Sequence, residues 1–362
     1  MSKEVRVCLV TGTRGAGKST LIEHALKECR GIRPVAVRAD LRVPGKLEDE
    51  LTAICEEGRA DYILLEADAD CDQERLVETT AMVCEINSED GIPMKLDNVV
   101  AVVDCPEAYR AFSEGRKLNR APLDGPDTEY EVIGQLEMCS TVVFNKAEML
   151  SDEELDELIA TARLLQADAA MAVAENGAVD AAEILMTDRF DREHIMRGAG
   201  WVNVLQNPEP VPEDDEEYGL MTFLYVRRQP FDHEKLVEMC DMWPHSVIRM
   251  KGMVWYSNEP DMSFMLEQAG RAITESPSGK FLAAAPVETQ LELLGKYPEI
   301  RKIWDRKYKD RMIKLAFIGK NTDIELLTMR LDACLGDLPD RESCNEKEKR
   351  TAARIHRAAV LF

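Results

Sequence analysis

Residues Gly12 to Ser19 read GTRGAGKS, and they join the short apolar run Val7 to Val10 to a stretch with helical patterning from Lys18. A chain that meets GxxxxGK[ST] in that order of strand, loop and helix is confined to very few folds. Glycine at Gly12, Gly15 and Gly17 lets backbone N–H groups turn inward around phosphate oxygens. Lys18 reaches the outer phosphates, and the Ser19 hydroxyl is placed to hold Mg²⁺. The loop therefore predicts a nucleoside triphosphate bound through Gly12, Thr13, Arg14, Gly15, Ala16, Gly17, Lys18, Ser19 and Thr20. Arg14 suits a phosphate contact and a solvent-facing position equally well.

From Val5 to about Leu205 the pattern alternates apolar strand-like runs with helical ones, which predicts an α/β fold with a doubly wound, mainly parallel sheet. The expected strands are Val5 to Thr11, Val35 to Arg38, Tyr62 to Leu65, Val99 to Val103, Thr141 to Phe144 and Ala169 to Val173. Between them lie helical stretches, Lys18 to Cys29, Leu47 to Cys55, Gln73 to Val83, Glu131 to Met138 and Asp152 to Leu165. The last follows a capping box, Ser151 with Glu154 three residues on. Ligands of such sheets sit beyond the carboxyl ends of the strands, where the Gly12 loop falls.

The run NPEPVPEDDEE, Asn207 to Glu217, has three prolines and an acidic tail, the composition of a linker. It divides the chain into a nucleotide domain (1–205), a linker (206–217), a smaller α+β domain (218–338) and a tail (339–362). In the second domain strands are expected at Leu220 to Arg227, Ser246 to Tyr256, Met262 to Glu267 and Met312 to Ile318. Helices are expected at His233 to Met242 and Asp323 to Leu335. Arg341 to Phe362 reads as a mixed-charge terminal helix.

Charge narrows the partners. A formal net charge of -23 argues against a nucleic-acid footprint or attraction to an anionic membrane, since both need clustered positive charge. Met1 to Glu4 run straight into the first strand and no apolar run is long enough to span a bilayer, so a cytoplasmic protein is expected. The closest of the ten cysteines, Cys334 and Cys344, are ten positions apart, which predicts reduced free thiols.

The apolar run Val142 to Phe144 ends in Asn145, Lys146, Ala147 and Glu148. At the end of a late strand this is similar to the NKxD element that reads guanine, where a carboxylate accepts from the N1 and N2 edge and the lysine stem lies along the base. Glu148 is one methylene longer than the usual aspartate. Two acids end strands: Glu66 after Tyr62 to Leu65, and Asp104 after Val99 to Val103. Either is placed to anchor Mg²⁺ through water and to orient an attacking water. Strand order favours Glu66 as the metal-side acid and leaves Asp104 a structural role. Asp40, after Val35 to Arg38, is a weaker candidate for metal or terminal-phosphate sensing. Lys18 and Glu66 are the expected catalytic pair.

With these elements in place the chain resembles the CobW-type family of GTPases, nucleotide-dependent metallochaperones related to the hydrogenase and urease maturation GTPases. The resemblance rests on the phosphate loop, LLEADAD from Leu64, VVAVVDCPEAY from Val99, QLEMCSTVVFNKAEML from Gln135 and ENGAVDAAEIL from Glu175. In the second domain it rests on RRQPFDHEKL from Arg227, VIRMKGMVWYS from Val247 and LAFIGKNTD from Leu315. It implies GTP and Mg²⁺ as ligands, slow GTP hydrolysis, and a client metalloprotein or corrinoid-related protein that receives Zn²⁺ or Co²⁺. Three departures stand out. Leu41 to Leu51, LRVPGKLEDEL, has no cysteine where the family carries CxCC. Glu66, Ala67, Asp68 and Ala69 replace the ExSG-like element, and Glu148 replaces aspartate. His233, His245 and a cluster of Asp68, Asp70 and Cys71 offer alternative ligands without a distinctive spacing. Two other functions fit the loop: a nucleotide-controlled adaptor without metal transfer, and a small-molecule kinase, which the NKAE string and the second domain disfavour.

Overall fold

The computed structural model describes residues 4–39, 45–67, 72–114, 127–206 and 218–338. The expected sites at Asp40, Asp68 to Cys71, the Asn207 to Glu217 linker and the 339–362 tail lie outside them. Two sheets organise the rest. The first has six parallel strands: β1 (Val5–Gly12), β2 (Pro34–Ala39), β3 (Tyr62–Ala67), β4 (Met94–Asp104), β5 (Thr141–Asn145) and β6 (Ala170–Val173). They run in the order β2-β3-β1-β4-β5-β6. β1 lies beside β4; the connection after β1 runs to β2 and the one after β4 runs to β5, in opposite directions, so a crevice opens beyond their carboxyl ends.

The connecting helices are α1 (Lys18–Glu28), α2 (Lys46–Glu56), α3 (Gln73–Glu89), α4 (Cys105–Glu114), α5 (Thr128–Glu137) and α6 (Asp152–Leu165), followed by α7 (Arg192–Gly198) and α8 (Gly200–Gln206). α6 starts on the expected capping box: the Glu154 N–H donates to Ser151 Oγ and Glu154 Oε2 accepts from the Ser151 N–H. Both faces of the sheet are covered, so the strands read as continuous apolar runs; every residue from Val99 to Asp104 is buried.

The second sheet is antiparallel, formed by β7 (Leu220–Arg227), β8 (Val247–Tyr256), β9 (Glu259–Ala269), β10 (Ala272–Lys280) and β11 (Ile313–Lys320) in the order β10-β9-β8-β11-β7. α9 (His233–Cys240) and α12 (Ile324–Ala333) cover one face, while α10 (Val287–Lys296) and α11 (Pro298–Ile303) contribute no buried residue. Strand alternation gives this sheet two interiors. Phe317 packs with Phe223, Leu236 and Leu331 on the α9–α12 side, whereas its neighbour Ile318 joins Leu220, Ile248 and Ala269 in the core of the nucleotide domain. An ion pair crosses the same boundary: Arg249 of β8 holds Glu137 of α5 at 2.7 and 2.9 Å, with both side chains buried. Among the described residues no helix is long and apolar enough to cross a membrane.

Candidate nucleotide site

β1 ends at Gly12, and the GTRGAGKS loop wraps over the carboxyl edge of the sheet before α1 begins at Lys18. Lys18 is buried, and its Nζ donates to Gly12 O at 2.6 Å and to Thr13 O at 3.0 Å, so its ammonium lies inside the loop. Arg14 points to solvent, while Ser19 and Thr20 are exposed on the first turn of α1. Ser19 Oγ donates to Glu66 Oε1 at 2.7 Å, which joins the loop to the end of β3. Arg38, at the end of β2, is 3.7 Å from the other oxygen of Glu66. These hard oxygen donors on one carboxylate and one hydroxyl suit Mg²⁺.

The NKAE segment is docked onto the loop. Asn145 Nδ2 donates to Ala16 O at 2.7 Å, and Lys146 Nζ donates to Gly15 O at 2.9 Å and to Asp104 Oδ2. Lys146 takes a left-handed backbone, φ 60°, at the corner where β5 turns into Ala147–Met149. Gly17, at φ 100°, must lack a side chain: a β-carbon there would stand 2.1 Å from Asn145 Nδ2. Asn145 Oδ1 is buried and makes no hydrogen bond to the described residues, an orphan acceptor between loop and strand. This cradle of left-handed glycines and an unpaired amide oxygen fits a nucleotide.

Glu148 is exposed at the rim, and its charge reaches Cys105. Burial first, then the Asp104 and Glu148 carboxylates, push the Cys105 thiol up to about 12. Burial does the same to Cys84 and Cys139, both up to about 12. The cysteines among the described residues are all free, and the most deeply buried ones stay protonated at neutral pH.

Asp104 enters the site more deeply than its strand position suggested. One oxygen caps α4 by accepting from the Glu107 N–H at 3.2 Å, and the other takes Lys146. Three further residues lie in the strings VVAVVDCPEAY and ENGAVDAAEIL but were not named as site residues. Glu107 accepts from Thr13 Oγ1 of the loop at 3.4 Å and from Thr128 Oγ1 of α5 at 3.3 Å. The turn at Asn176–Gly177, after β6, lies against Thr20; an Asn-Gly pair between apolar runs was its available signal. His233 stacks edge-on against Tyr256 and His245 is exposed, so neither joins the phosphate loop.

The CobW/HypB/UreG nucleotide-binding domain matches residues 41–173, and the cobalamin synthesis protein CobW C-terminal domain matches residues 220–335. The chain belongs to the CobW family. The CobW nucleotide-binding match takes in Glu66 and the NKAE segment; the phosphate loop, Gly12 to Ser19, lies outside it, nearer the N-terminus. A Dictyostelium discoideum protein named zinc-regulated GTPase metalloprotein activator 1 is 27% identical over 336 residues, 90% of this chain and 68% of its own length. A Mycobacterium tuberculosis protein named zinc chaperone is 28% identical over 193 residues, 53% of this chain and 45% of its own length. Among solved structures, the Zn(II)-bound YjiA GTPase from E. coli is 16% identical, covering 92% of this chain and 99% of that one with a TM-score of 0.41.

Proposed function

We propose that this CobW-family chain binds GTP, hydrolyses it slowly with Mg²⁺, and uses the cycle to assist metal delivery to a client metalloprotein or corrinoid-related protein. The observation that supports the reading is the docking of Asn145 and Lys146 onto the carbonyls of Ala16 and Gly15, as a base-reading turn beside a phosphate loop would require. Lys18 would exchange the Gly12 and Thr13 carbonyls for phosphate oxygens, while the loop amides hold the charge that develops on the leaving phosphate. Ser19 and Glu66 would hold Mg²⁺, which when bound neutralises charge shared by the outer phosphates. Glu66 would also orient the attacking water, and Glu148 would accept from the N1 and N2 edge of guanine.

Zinc as cargo is supported by the names of the two relatives. Leu41 to Leu51, where the family carries CxCC, has no cysteine. That gap favours a second reading, a nucleotide-controlled adaptor that acts on a partner protein without carrying metal. Calorimetric titration of the purified protein with GTP, GDP and ATP analogues in Mg²⁺, repeated with Zn²⁺ and Co²⁺, separates them. Tight GTP binding that raises affinity for a stoichiometric metal ion supports the chaperone reading. GTP binding without metal supports the adaptor, and equal binding of ATP removes the guanine assignment.

A further inference from the structure

α5 reaches the phosphate loop through Glu107 of α4 at one end and the second sheet at both. At its start, Thr128 Oγ1 donates to Glu107 Oε1 at 3.3 Å, and the other oxygen of Glu107 takes the hydroxyl of Thr13 at 3.4 Å. Asp127, the N-cap, serves two masters with its two oxygens. Oδ1 accepts from the Tyr130 N–H at 3.2 Å and so caps α5; Oδ2 accepts from the Arg271 N–H at 2.8 Å, in the turn between β9 and β10. The turn is moulded to this contact. Gly270 has φ 54°, and a β-carbon on it would fall 2.5 Å from Asp127 Oδ1. At the far end of the helix, about 15 Å away for ten residues, Glu137 is held by Arg249, which also reaches Glu267 at 3.1 Å and Gln268 O at 3.1 Å.

A helix pinned at both ends by one sheet moves with that sheet. Its start is tied through one carboxylate to a residue whose carbonyl is bonded to Lys18. When Lys18 turns to phosphate it releases the Gly12 and Thr13 carbonyls, and the two Glu107 contacts, each longer than an ordinary O–H···O bond, have room to shorten or break. We infer that Glu107 is a positioning residue that couples the phosphate loop, through α5, to the β9–β10 turn of the second domain. The inference rests on the nucleotide-binding reading of the loop for its purpose, but the mechanical link stands on the contacts alone.

The link is tested by amide hydrogen exchange in the full-length protein. The reporter is the Ala16 N–H, which donates to Thr13 O at 3.2 Å and is freed when the loop opens. Asp127→Asn keeps an N-cap acceptor and replaces the oxygen facing Arg271 with a donor group, so it disturbs the turn without removing the cap. Thr128→Val removes the hydroxyl alone and serves if the first variant misfolds. Without nucleotide, either substitution changes Ala16 exchange about fivefold or more, within the usual range of coupling between sites. In a Glu107→Ala background the same substitutions change it less than twofold. In a second arm, Mg²⁺ with a non-hydrolysable GTP analogue, and in parallel an ATP analogue, alters exchange at Gly270 and Arg271 in the wild type and not in Glu107→Ala at saturation. Ala16 exchange within twofold of wild type in both variants overturns the coupling, as does an undiminished effect without Glu107. Failure of both nucleotides to bind overturns the functional reading, while the first arm still decides the link.

Discussion

Removing Arg249 should cost more than removing Glu137, although the two are partners in one ion pair. Arg249 and Glu137 have side-chain exposures of 4% and 10%, so neither charge can turn to water. Arg249→Met strands Glu137 and takes one partner from Glu267, which keeps Lys251 at 3.2 Å. A buried pair broken in this way loses about 3–5 kcal/mol. Glu137→Gln keeps an amide that can accept one of the guanidinium bonds, and Arg249 retains Glu267 and the Gln268 carbonyl. Its loss is that of a charge-assisted hydrogen bond, about 1–3 kcal/mol. The double variant Glu137→Met with Arg249→Met leaves no stranded charge at α5 and should recover part of the loss. Urea unfolding followed by tryptophan fluorescence, with Trp255 buried in the second sheet, reads the differences. With a slope of about 2 kcal/mol/M, Arg249→Met lowers the midpoint by about 2 M. If Glu137→Gln is the more damaging single change, or the double variant is worse than the sum of both, the account of the interface is wrong.

Gly17→Ala combines a left-handed backbone, about 1–2 kcal/mol for a residue with a β-carbon, with the displacement of Asn145 from Ala16 O. Nucleotide affinity in calorimetry should fall by more than about tenfold while the circular dichroism spectrum is retained. Glu148→Ala should lower GTP affinity by about ten- to a hundredfold, the worth of a charge-assisted bidentate pair, and leave ATP affinity unchanged in a competition assay. Burial alone would raise the Glu267 carboxyl, but Lys251 and Arg249 outweigh it and hold the group below its usual value. Its contribution to stability is therefore present above the ordinary glutamate pKa of about 4.3 and is lost as pH falls through the depressed folded value. The urea midpoints of wild type and Glu267→Gln should differ at pH 7 and converge toward pH 3.

Most of the first sheet was legible because its strands are covered on both faces and announce themselves as apolar runs. The exception is instructive. β4 starts at Met94, five residues before the expected Val99, because Lys95, Asp97 and Asn98 break the pattern. Asp97 is fully buried and satisfied by Arg6, Tyr62 and two backbone N–H groups, a network assembled from distant parts of the chain. β10 escaped for the opposite reason: it is a mostly exposed edge carrying Pro277 and an irregular register, so nothing alternates. α10 and α11 bury no residue; α10 carried a helical signature, Val287, Leu291 and Leu294 at i, i+4 and i+7, that was overlooked. In the site, the loop and the NKAE turn were readable as local strings, whereas Glu107 acquires meaning only when β4 brings α4 beside β1. Arg249 did carry a signal, a charge within the apolar strand VIRMKGMVWY, but its partner could not be named without the packing of α5.

Leu220, Ile248, Ala269 and Ile318 lie in the second sheet by sequence and in the core of the nucleotide domain by packing. The two halves of the chain are thus less like beads on a string than like subunits of a dimer that share a peptide bond. Severed between Gln206 and Tyr218, they would remain associated through that apolar seam and the Arg249 pair, and their assembly would depend on concentration. Expressed alone, each half would present the seam to water as a sticky surface, so fragments made to study either activity in isolation are best produced together.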